Sequence, residues 1–335
     1  MPWPRGATQA AFVLAGFAVL ALLPQILGLF LSEVLVIVGL FALMALGLNI
    51  VVGMAGLLDL GYVAFFAIGA YAMAVLTSPE LGFFAFNFWG ALPLAILAGI
   101  FAGVLLGVPV LRMRGDYLAI VTLGFGEIVR LLALSDALRP WFGGAQGIAQ
   151  IPRPAAGGFE FGSSQEIYYL VLGACVIAGF ISWRLKKSRI GRAWLAIRED
   201  EDVAAAMGIN RVYYKLLAFA AGAAFAAFSG AIAASRLGSI YPHSFSLLIS
   251  INVLAVVIIG GMGNIPGVVI GAFALAGLPE ILREFGDFRW LVYGAALVAM
   301  MLFRPAGLWP EAIRRRELAA RTDEVPEGAA AGNTS

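Results

Sequence analysis

The residues best suited to chemistry in this chain are a carboxylate and a guanidinium inside an apolar run. Glu127 and Arg130 lie three positions apart within residues 116–134. On a helix this spacing puts them on one face, where they partly neutralise each other. Either charge costs about 2.5–3.5 kcal/mol at the centre of a bilayer. The pair must therefore face protein or water, and it either lines a translocation path or ties two helices together.

Smaller polar residues and two glycines are further candidates for a translocation path. Asn49, Asp59 and Asn252 lie in or beside apolar runs, where an amide can also hydrogen-bond between helices without the cost of a charge. Gly124 and Gly126 precede the charged pair, and each weakens a helix by about 1 kcal/mol relative to alanine. They indicate either a local break that opens a path or close contact between helices.

Motifs for catalysis and for metal binding are missing from the sequence. It contains neither the phosphate loop G-x-x-x-x-G-K-[ST] nor the nucleophile turn G-x-S-x-G. The single histidine, His243, cannot form an H-E-x-x-H zinc site, and the single cysteine, Cys175, cannot form an internal disulfide. We therefore expect no enzymatic activity, no metal site, no cofactor bound by this chain and no nucleic-acid partner.

The elements that carry these residues are long apolar runs. Hydrophobic residues make up 61% of the 335 residues and charged residues 13%, against roughly 45–50% and 25% in soluble domains. About 20 apolar residues span a bilayer, and these runs do not alternate as barrel strands do, so the sequence predicts an all-α polytopic membrane protein. About ten transmembrane helices are expected, or eight to ten if 247–282 and the junction at 53–61 re-enter. The runs are 10–31, 34–53, 57–76, 90–111, 116–134, 167–183, 214–234, 247–262, 267–282 and 290–303.

The positions of the basic residues predict the orientation in the membrane. With the N-terminus inside, sixteen of the 22 lysines and arginines fall in or beside inside segments, in agreement with the positive-inside rule. Both termini and the polar insert 184–215 are therefore expected in the cytoplasm. Residues 1–310 make up the predicted membrane domain, and the polar segment 311–335 is expected to be a disordered cytoplasmic tail.

The polar insert contains a short predicted helix that could contact a partner protein. Asp200 can cap its N-terminus, and Gly208 suits its C-terminal end. Val203, Ala204 and Met207 offer an apolar face that could enter a groove on another protein. An ordinary basic loop that only sets the topology is the alternative. The predicted coupling residues are Asp200, Glu201, Asp202, Val203, Ala204, Ala205, Ala206, Met207 and Gly208.

Several segments resemble one family of membrane permeases. Residues 202–208, with the sequence DVAAAMG, are similar to the E-A-A-x-x-x-G element of ABC-importer permeases. A wider likeness, over about residues 30–310, is to the LivM-type branched-chain amino acid permeases. The segments that carry it are 47–61, 111–128, 188–194 and 303–308.

The resemblance implies a bacterial inner-membrane permease with a type II ABC-importer fold that translocates branched-chain or related amino acids. A second, LivH-like permease, two cytoplasmic ATPase subunits that bind the ATP, and a periplasmic substrate-binding protein would complete the importer, and the insert would meet the ATPase. A urea or short-amide permease of the same architecture is one alternative. A stand-alone secondary transporter with Glu127 as its ion-coupling carboxylate is the other.

Overall fold

The computed structural model describes residues 5–110, 113, 115–156, 159–304 and 307–309, with side chains described from Pro24 onward except at a few helix positions. The predicted tail, 311–335, lies outside the described residues. The α-helices are α1 (Arg5–Leu48), α2 (Val63–Thr77), α3 (Phe88–Val110), α4 (Asp116–Leu134), α5 (Arg139–Phe142), α6 (Ser164–Lys187), α7 (Arg189–Glu199), α8 (Glu201–Ala206), α9 (Arg211–Leu237), α10 (Leu247–Gly260), α11 (Ile265–Ile281) and α12 (Phe288–Phe303). Two short strands, β1 (Ala155–Ala156) and β2 (Phe159–Glu160), pair antiparallel.

The first two predicted spans form one helix whose break lies elsewhere than expected. The sequence predicted a turn at 32–33 between the runs 10–31 and 34–53, but α1 continues through it and departs from helical geometry at Gly28, where φ is 78°. Glycine adopts such a conformation far more readily than other residues. The turn at 32–33 was wrong because the Ser32 hydroxyl is satisfied within the helix, where it donates to the Gly28 carbonyl at 2.8 Å.

The third predicted span, 57–76, also begins later than expected. After α1 the chain forms a π-helical stretch, Asn49–Met54, and continues without helix until α2 begins at Val63. The prediction counted apolar residues only. Within the apolar run the Asp59 carboxylate accepts a hydrogen bond from Gly61 N at 2.9 Å, and an aspartate that binds its own backbone in this way competes with helix formation.

The link between the π-helical stretch and α2 is buried because other helices satisfy its backbone. Leu60 N donates to the Thr122 hydroxyl on α4 at 3.0 Å, and Val63 N donates to the Ser250 hydroxyl on α10 at 2.9 Å. A side chain at Gly61 would collide with the Thr122 backbone. Non-helical backbone at membrane depth is tolerated only where protein or water meets its polar groups, and here α4 and α10 provide them.

The centre of the fold is α9, which packs against α1, α2 and α3. Small residues allow the helix backbones to come into contact. Gly69 of α2 lies against Ala227, and Gly230 of α9 lies against Phe66, so that a methyl group at either glycine would overlap a neighbouring backbone. Close approach at small residues is a main source of stability for helices packed in a membrane.

Loops and helix ends gather at two opposite ends of the bundle. At one end Arg198 Nη1 donates to the Gly53 carbonyl at 2.5 Å, and at the other the Ser78 hydroxyl donates to the Ala149 carbonyl at 2.7 Å. The predicted topology also puts the segments of each end together on one side of the membrane. Which of the two ends faces the cytoplasm stays a prediction. The first end collects 53–56, 186–198 and 263–264, and the second collects 78–80, 148–151 and 238–240.

Within the described residues, seven helices are long and apolar enough to cross a membrane. Two shorter apolar helices, Val63–Thr77 and Leu291–Met300, accompany them. The all-α, multi-pass architecture is therefore confirmed, whereas the number of eight to ten crossings stays a prediction. The seven segments are Gly28–Met54, Phe88–Pro109, Tyr117–Leu134, Ser164–Lys187, Arg211–Leu237, Pro242–Gly260 and Ile265–Phe285.

Candidate functional site

Glu127 and Arg130 form an ion pair on α4. The Arg130 Nε donates to the two carboxylate oxygens of Glu127 at 3.1 and 3.0 Å, and Nη2 donates to Oε1 as well. The Glu127 side chain is 49% exposed, so the pair lies on the outer surface of the bundle. Charged groups in a membrane-spanning helix face protein or water rather than lipid. This face of α4 is therefore expected to meet another subunit or an aqueous path.

The remainder of the same α4 face is apolar and open. Tyr117, Ile120, Ile128 and Leu131 are all exposed, whereas Thr122 on the other side of the helix is buried against the link before α2. Of the seven candidate spans, α4 is the least buried. An apolar stripe with an ion pair in its middle is suited to a second protein that covers the charges.

The two glycines of α4 do not break the helix, which runs unbroken from Asp116 to Leu134. A methyl group at Gly126 would lie 3.4 Å from the Gly61 Cα, so Gly126 lets α4 approach the buried link. Gly124 has open space at the position of a side chain. Of the two alternatives, the structure contradicts the local break, because continuous helical hydrogen bonding compensates the low propensity of the two glycines.

Asn49 is a fully buried tie between two parts of the bundle. Its Oδ1 accepts a hydrogen bond from Gly263 N at 2.7 Å, and a side chain at Gly53 would collide with the Asn49 amide. Its Nδ2 is buried without a hydrogen-bond partner among the described residues. Asn49 thus holds the π-helical end of α1 against the loop between α10 and α11, and in this conformation it does not face an open surface.

The other two polar path candidates, Asp59 and Asn252, also make their contacts within the bundle. Asp59 is fully buried in the link before α2, with one oxygen accepting from Gly61 N and Oδ2 without a partner among the described residues. Asn252 Oδ1 accepts a hydrogen bond from the Tyr293 hydroxyl at 3.1 Å and so joins α10 to α12. The structure therefore separates these residues from the exposed pair on α4.

The polar insert is attached to the membrane bundle by contacts that sequence reasoning missed. Trp194 of α7 is fully buried, and its Nε1 donates to the Tyr214 carbonyl at 2.8 Å. Arg198 Nη1 donates to the Gly53 carbonyl, and Lys186 Nζ donates to a backbone carbonyl in the α10–α11 loop at 2.6 Å. The insert therefore touches the same backbone that Asn49 holds.

The short helix α8 is fixed at its base by capping and by charge. Asp200 Oδ1 accepts hydrogen bonds from Asp202 N at 2.8 Å and Val203 N at 2.9 Å, which confirms the predicted N-terminal cap. Glu201 pairs at 2.7 Å with the Lys215 ammonium, whose side chain is only 3% exposed. The predicted C-terminal position, Gly208, has φ of +85°.

The exposed surface of α8 differs in one residue from the predicted face. Val203 and Met207 are 59% and 79% exposed, but Ala204 is only 3% exposed and packs inward. The inclusion of Ala204 was wrong because its position on α8 faces the rest of the insert. Ala206 is exposed and Ala205 half-buried, so the open apolar tip consists of Val203, Ala206 and Met207.

Side chains that could bind a metal ion are dispersed in the described part of the chain. It contains no group of three or more histidine, cysteine, aspartate or glutamate side chains arranged to hold a metal ion. Cys175 lies half-buried on α6, where its thiol donates to the Gly39 carbonyl at 3.3 Å. The absence of a metal site and of a bound cofactor over the whole chain stays a prediction.

The described residues form a multi-pass helical bundle with an uncovered ion pair on one span and a fixed polar projection at one end, which is the architecture of a polytopic membrane protein. A family model described as the permease component of branched-chain amino acid transport systems matches residues 30–304. The chain belongs to this permease family.

Curated relatives agree with the family match. The chain is 43% identical over 293 residues to the high-affinity branched-chain amino acid transport system permease protein LivM of Salmonella typhimurium, covering 81% of this chain and 68% of that protein. It is 42% identical to LivM of Escherichia coli over the same shares of the two chains. The permease protein LivH of Escherichia coli is 25% identical over 285 residues, with 80% of this chain and 90% of LivH covered. No solved structure matches the chain.

Proposed function

We propose that this chain is one of two permease subunits of an ABC importer that carries branched-chain amino acids across the inner membrane of a bacterium. Its membrane domain has a type II arrangement with eight to ten crossings. Both termini and the insert 184–215 lie in the cytoplasm. Two ATPase subunits bind the ATP, and a periplasmic binding protein delivers the substrate at the opposite end of the bundle.

The observation that carries this proposal is that α8 is fixed at its base and open at its tip. Glu201 is held by the buried Lys215, and Asp202 pairs with Arg211 at 3.1 Å. Val203 and Met207 remain exposed on the other side. A short apolar ridge on a rigid base is suited to a groove on another protein. A basic loop that only sets the topology would need neither the buried ion pair nor the exposed apolar tip.

The partner permease is proposed to cover the exposed face of α4. The Glu127–Arg130 pair and the apolar stripe around it are uncovered in the single chain. Relatives named LivM and LivH are both described as permease proteins of high-affinity branched-chain amino acid transport systems. A LivH-like subunit against α4 would shield the charges from lipid and place the translocation path between the two chains.

The proposal is tested by uptake in a bacterial strain that lacks its own branched-chain amino acid import. The chain is expressed with its LivH-like partner, the two ATPase subunits and the binding protein, and uptake of labelled L-leucine is measured. We expect uptake that requires this chain and that excess isoleucine or valine inhibits. A strain with all components except this chain is the control.

Two results would contradict the proposal. Uptake of urea or a short amide in place of leucine would assign the chain to a different substrate class. Leucine uptake by the chain without ATPase subunits, lost in Glu127→Gln, would instead indicate a secondary transporter with Glu127 as the coupling carboxylate.

A further inference from the structure

A cavity of about 220 Å³ lies between α1, α2, α9 and α10, near the end of the bundle where Ser78 meets Ala149. Its walls are mainly apolar and include Phe41, Met44 and Phe66. Ligand sites typically have apolar walls with a few placed polar groups, and drug-sized ligands need roughly 300–1,000 Å³. The size of this cavity therefore suits a smaller molecule.

A guanidinium that retains free donors lies in the wall of this cavity. Arg236 is near the end of α9, its side chain is 15% exposed, and its Nη2 donates to Glu33 Oε1 at 3.1 Å. Among the described residues this is the one hydrogen bond of the guanidinium, so Nε and Nη1 keep donors for a ligand. Glu280 on α11 is a second carboxylate that acts on the Arg236 charge. The surroundings of Arg236 can thus attract an ammonium as well as a carboxylate.

The carboxylate of Glu33 and part of the apolar wall belong to one face of α1. Glu33, Ile37, Phe41 and Met44 follow one another at spacings of four, four and three residues. Such positions lie above one another along a helix. The carboxylate that holds Arg236 is therefore one turn from the first apolar wall residue, Ile37, which lines the cavity.

We propose that this cavity binds a free zwitterionic amino acid with an apolar side chain. The α-carboxylate of the ligand receives hydrogen bonds from Arg236, its α-ammonium donates to Glu33, and its side chain packs against Phe41, Met44 and Phe66. The inference rests on the proposed function and deepens it, because it puts a substrate site at the end of the bundle that contains Arg236.

The charge arrangement favours a zwitterion over other occupants. A lone anionic headgroup would bring its negative charge close to the carboxylate of Glu33. A purely apolar ligand would cover Arg236 and leave its Nε and Nη1 without acceptors, and buried donors without partners are costly. A zwitterion satisfies both charges at once through charge-assisted hydrogen bonds.

The test measures equilibrium binding of tritiated L-leucine to the assembled permease–ATPase complex, without binding protein, in nanodiscs of phosphatidylcholine. We expect saturable binding that L-leucine displaces and L-leucinamide, which lacks the carboxylate, does not. Arg236→Gln should weaken leucine affinity by at least about tenfold. Arg153→Gln is the matched control, because it removes an exposed guanidinium that donates to the Gly162 carbonyl and does not line the cavity.

A second variant keeps the test valid if Arg236→Gln fails to fold. Ser244 is an exposed residue in the cavity wall, so Ser244→Trp fills the opening and leaves the Arg236–Glu33 pair intact. We expect this variant to lose leucine binding while it elutes as an assembled complex of normal size.

Three results would overturn the inference: no saturable binding to the wild-type complex, unchanged binding in both cavity variants, or displacement of leucine from the cavity by phosphatidylglycerol as readily as by leucine itself. The proposed function is judged separately by uptake through the complete importer with its binding protein. Leucine uptake by that importer together with an empty cavity would reject the site and keep the function. A complete importer that takes up no leucine would reject the function itself.

Discussion

Asn49 shows how a single polar residue can organise a membrane bundle. Its carboxamide oxygen meets Gly263 N, and Arg198 from the insert meets the Gly53 carbonyl one turn further along. Spacing within the sequence predicted the Glu127–Arg130 pair, because both partners lie on one helix. It could not predict the Asn49 and Arg198 contacts, because their partners are 214 and 145 positions away.

Replacing Asn49 by alanine is expected to destabilise the protein. The change leaves Gly263 N buried without an acceptor, at a cost of about 1–3 kcal/mol. The measurement is the thermal unfolding midpoint of the purified chain in detergent. Asn252→Ala is the control, since its partner is the hydroxyl of the half-buried Tyr293, which can turn toward another acceptor. A loss in Asn252→Ala equal to that in Asn49→Ala would contradict the assigned role.

The Glu127–Arg130 pair is expected to affect the assembly of this chain with its permease partner. Glu127→Gln leaves Arg130 unpaired within the membrane, where a single charge costs about 2.5–3.5 kcal/mol. We expect this variant to retain much less of the LivH-like partner when purified through a tag on this chain. The double variant Glu127→Gln, Arg130→Gln should recover partner retention. If Glu127 instead couples transport to an ion, the double variant is not expected to recover partner retention. A double variant that retains as little partner as Glu127→Gln would therefore count against the interface.

At the scale of elements, the sequence placed most helices correctly and failed where the chain leaves the helix inside the bundle. The predicted run 116–134 coincides with α4, because polar residues mark both of its ends in the sequence. The late start of α2 and the break at Gly28 could not be seen in hydropathy. The late start of α2 depends on hydrogen bonds between side chains and backbone, such as that from Leu60 N to Thr122, and the break depends on the positive φ that Gly28 adopts.

The apolar tip of α8 is expected to decide the contact with the ATPase subunits. Met207→Glu places a charge at a position that is 79% exposed, so the fold should tolerate it while a partner groove would not. We expect at least tenfold less ATPase to co-purify. Arg189→Glu on the exposed surface of α7 is a matched control, because it changes the charge of the same insert by two units. Equal loss in both variants would indicate general charge repulsion instead of a defined contact.

The Glu201–Lys215 ion pair at the base of α8 is expected to hold this helix in place. Lys215→Met removes the buried partner of Glu201 and is expected to cost about 1–3 kcal/mol. The helix should then loosen, which faster amide hydrogen exchange over residues 200–208 would report. Adding Glu201→Gln should restore much of the protection, since the side chain that lost its Lys215 partner is then neutral. Unchanged exchange in Lys215→Met would show that the ion pair does not hold the helix.

On the scale of the whole molecule, the ion pairs of the described residues lie near the two ends of the bundle and on one uncovered helix face. The insert and its supports, Arg198 and Lys186, occupy one end, and the cavity with Arg236 lies near the other. The α4 face between them carries the ion pair. This distribution agrees with the proposed partners at the end that carries the insert and along the α4 face, and with membership of the permease family.

The most direct test is leucine uptake into proteoliposomes that contain this chain, its LivH-like partner and the two ATPase subunits, with the binding protein supplied on the substrate side. The account predicts accumulation that requires ATP, is absent for this chain alone and is lost in Met207→Glu. Accumulation by the single chain, driven only by an ion gradient, would contradict it.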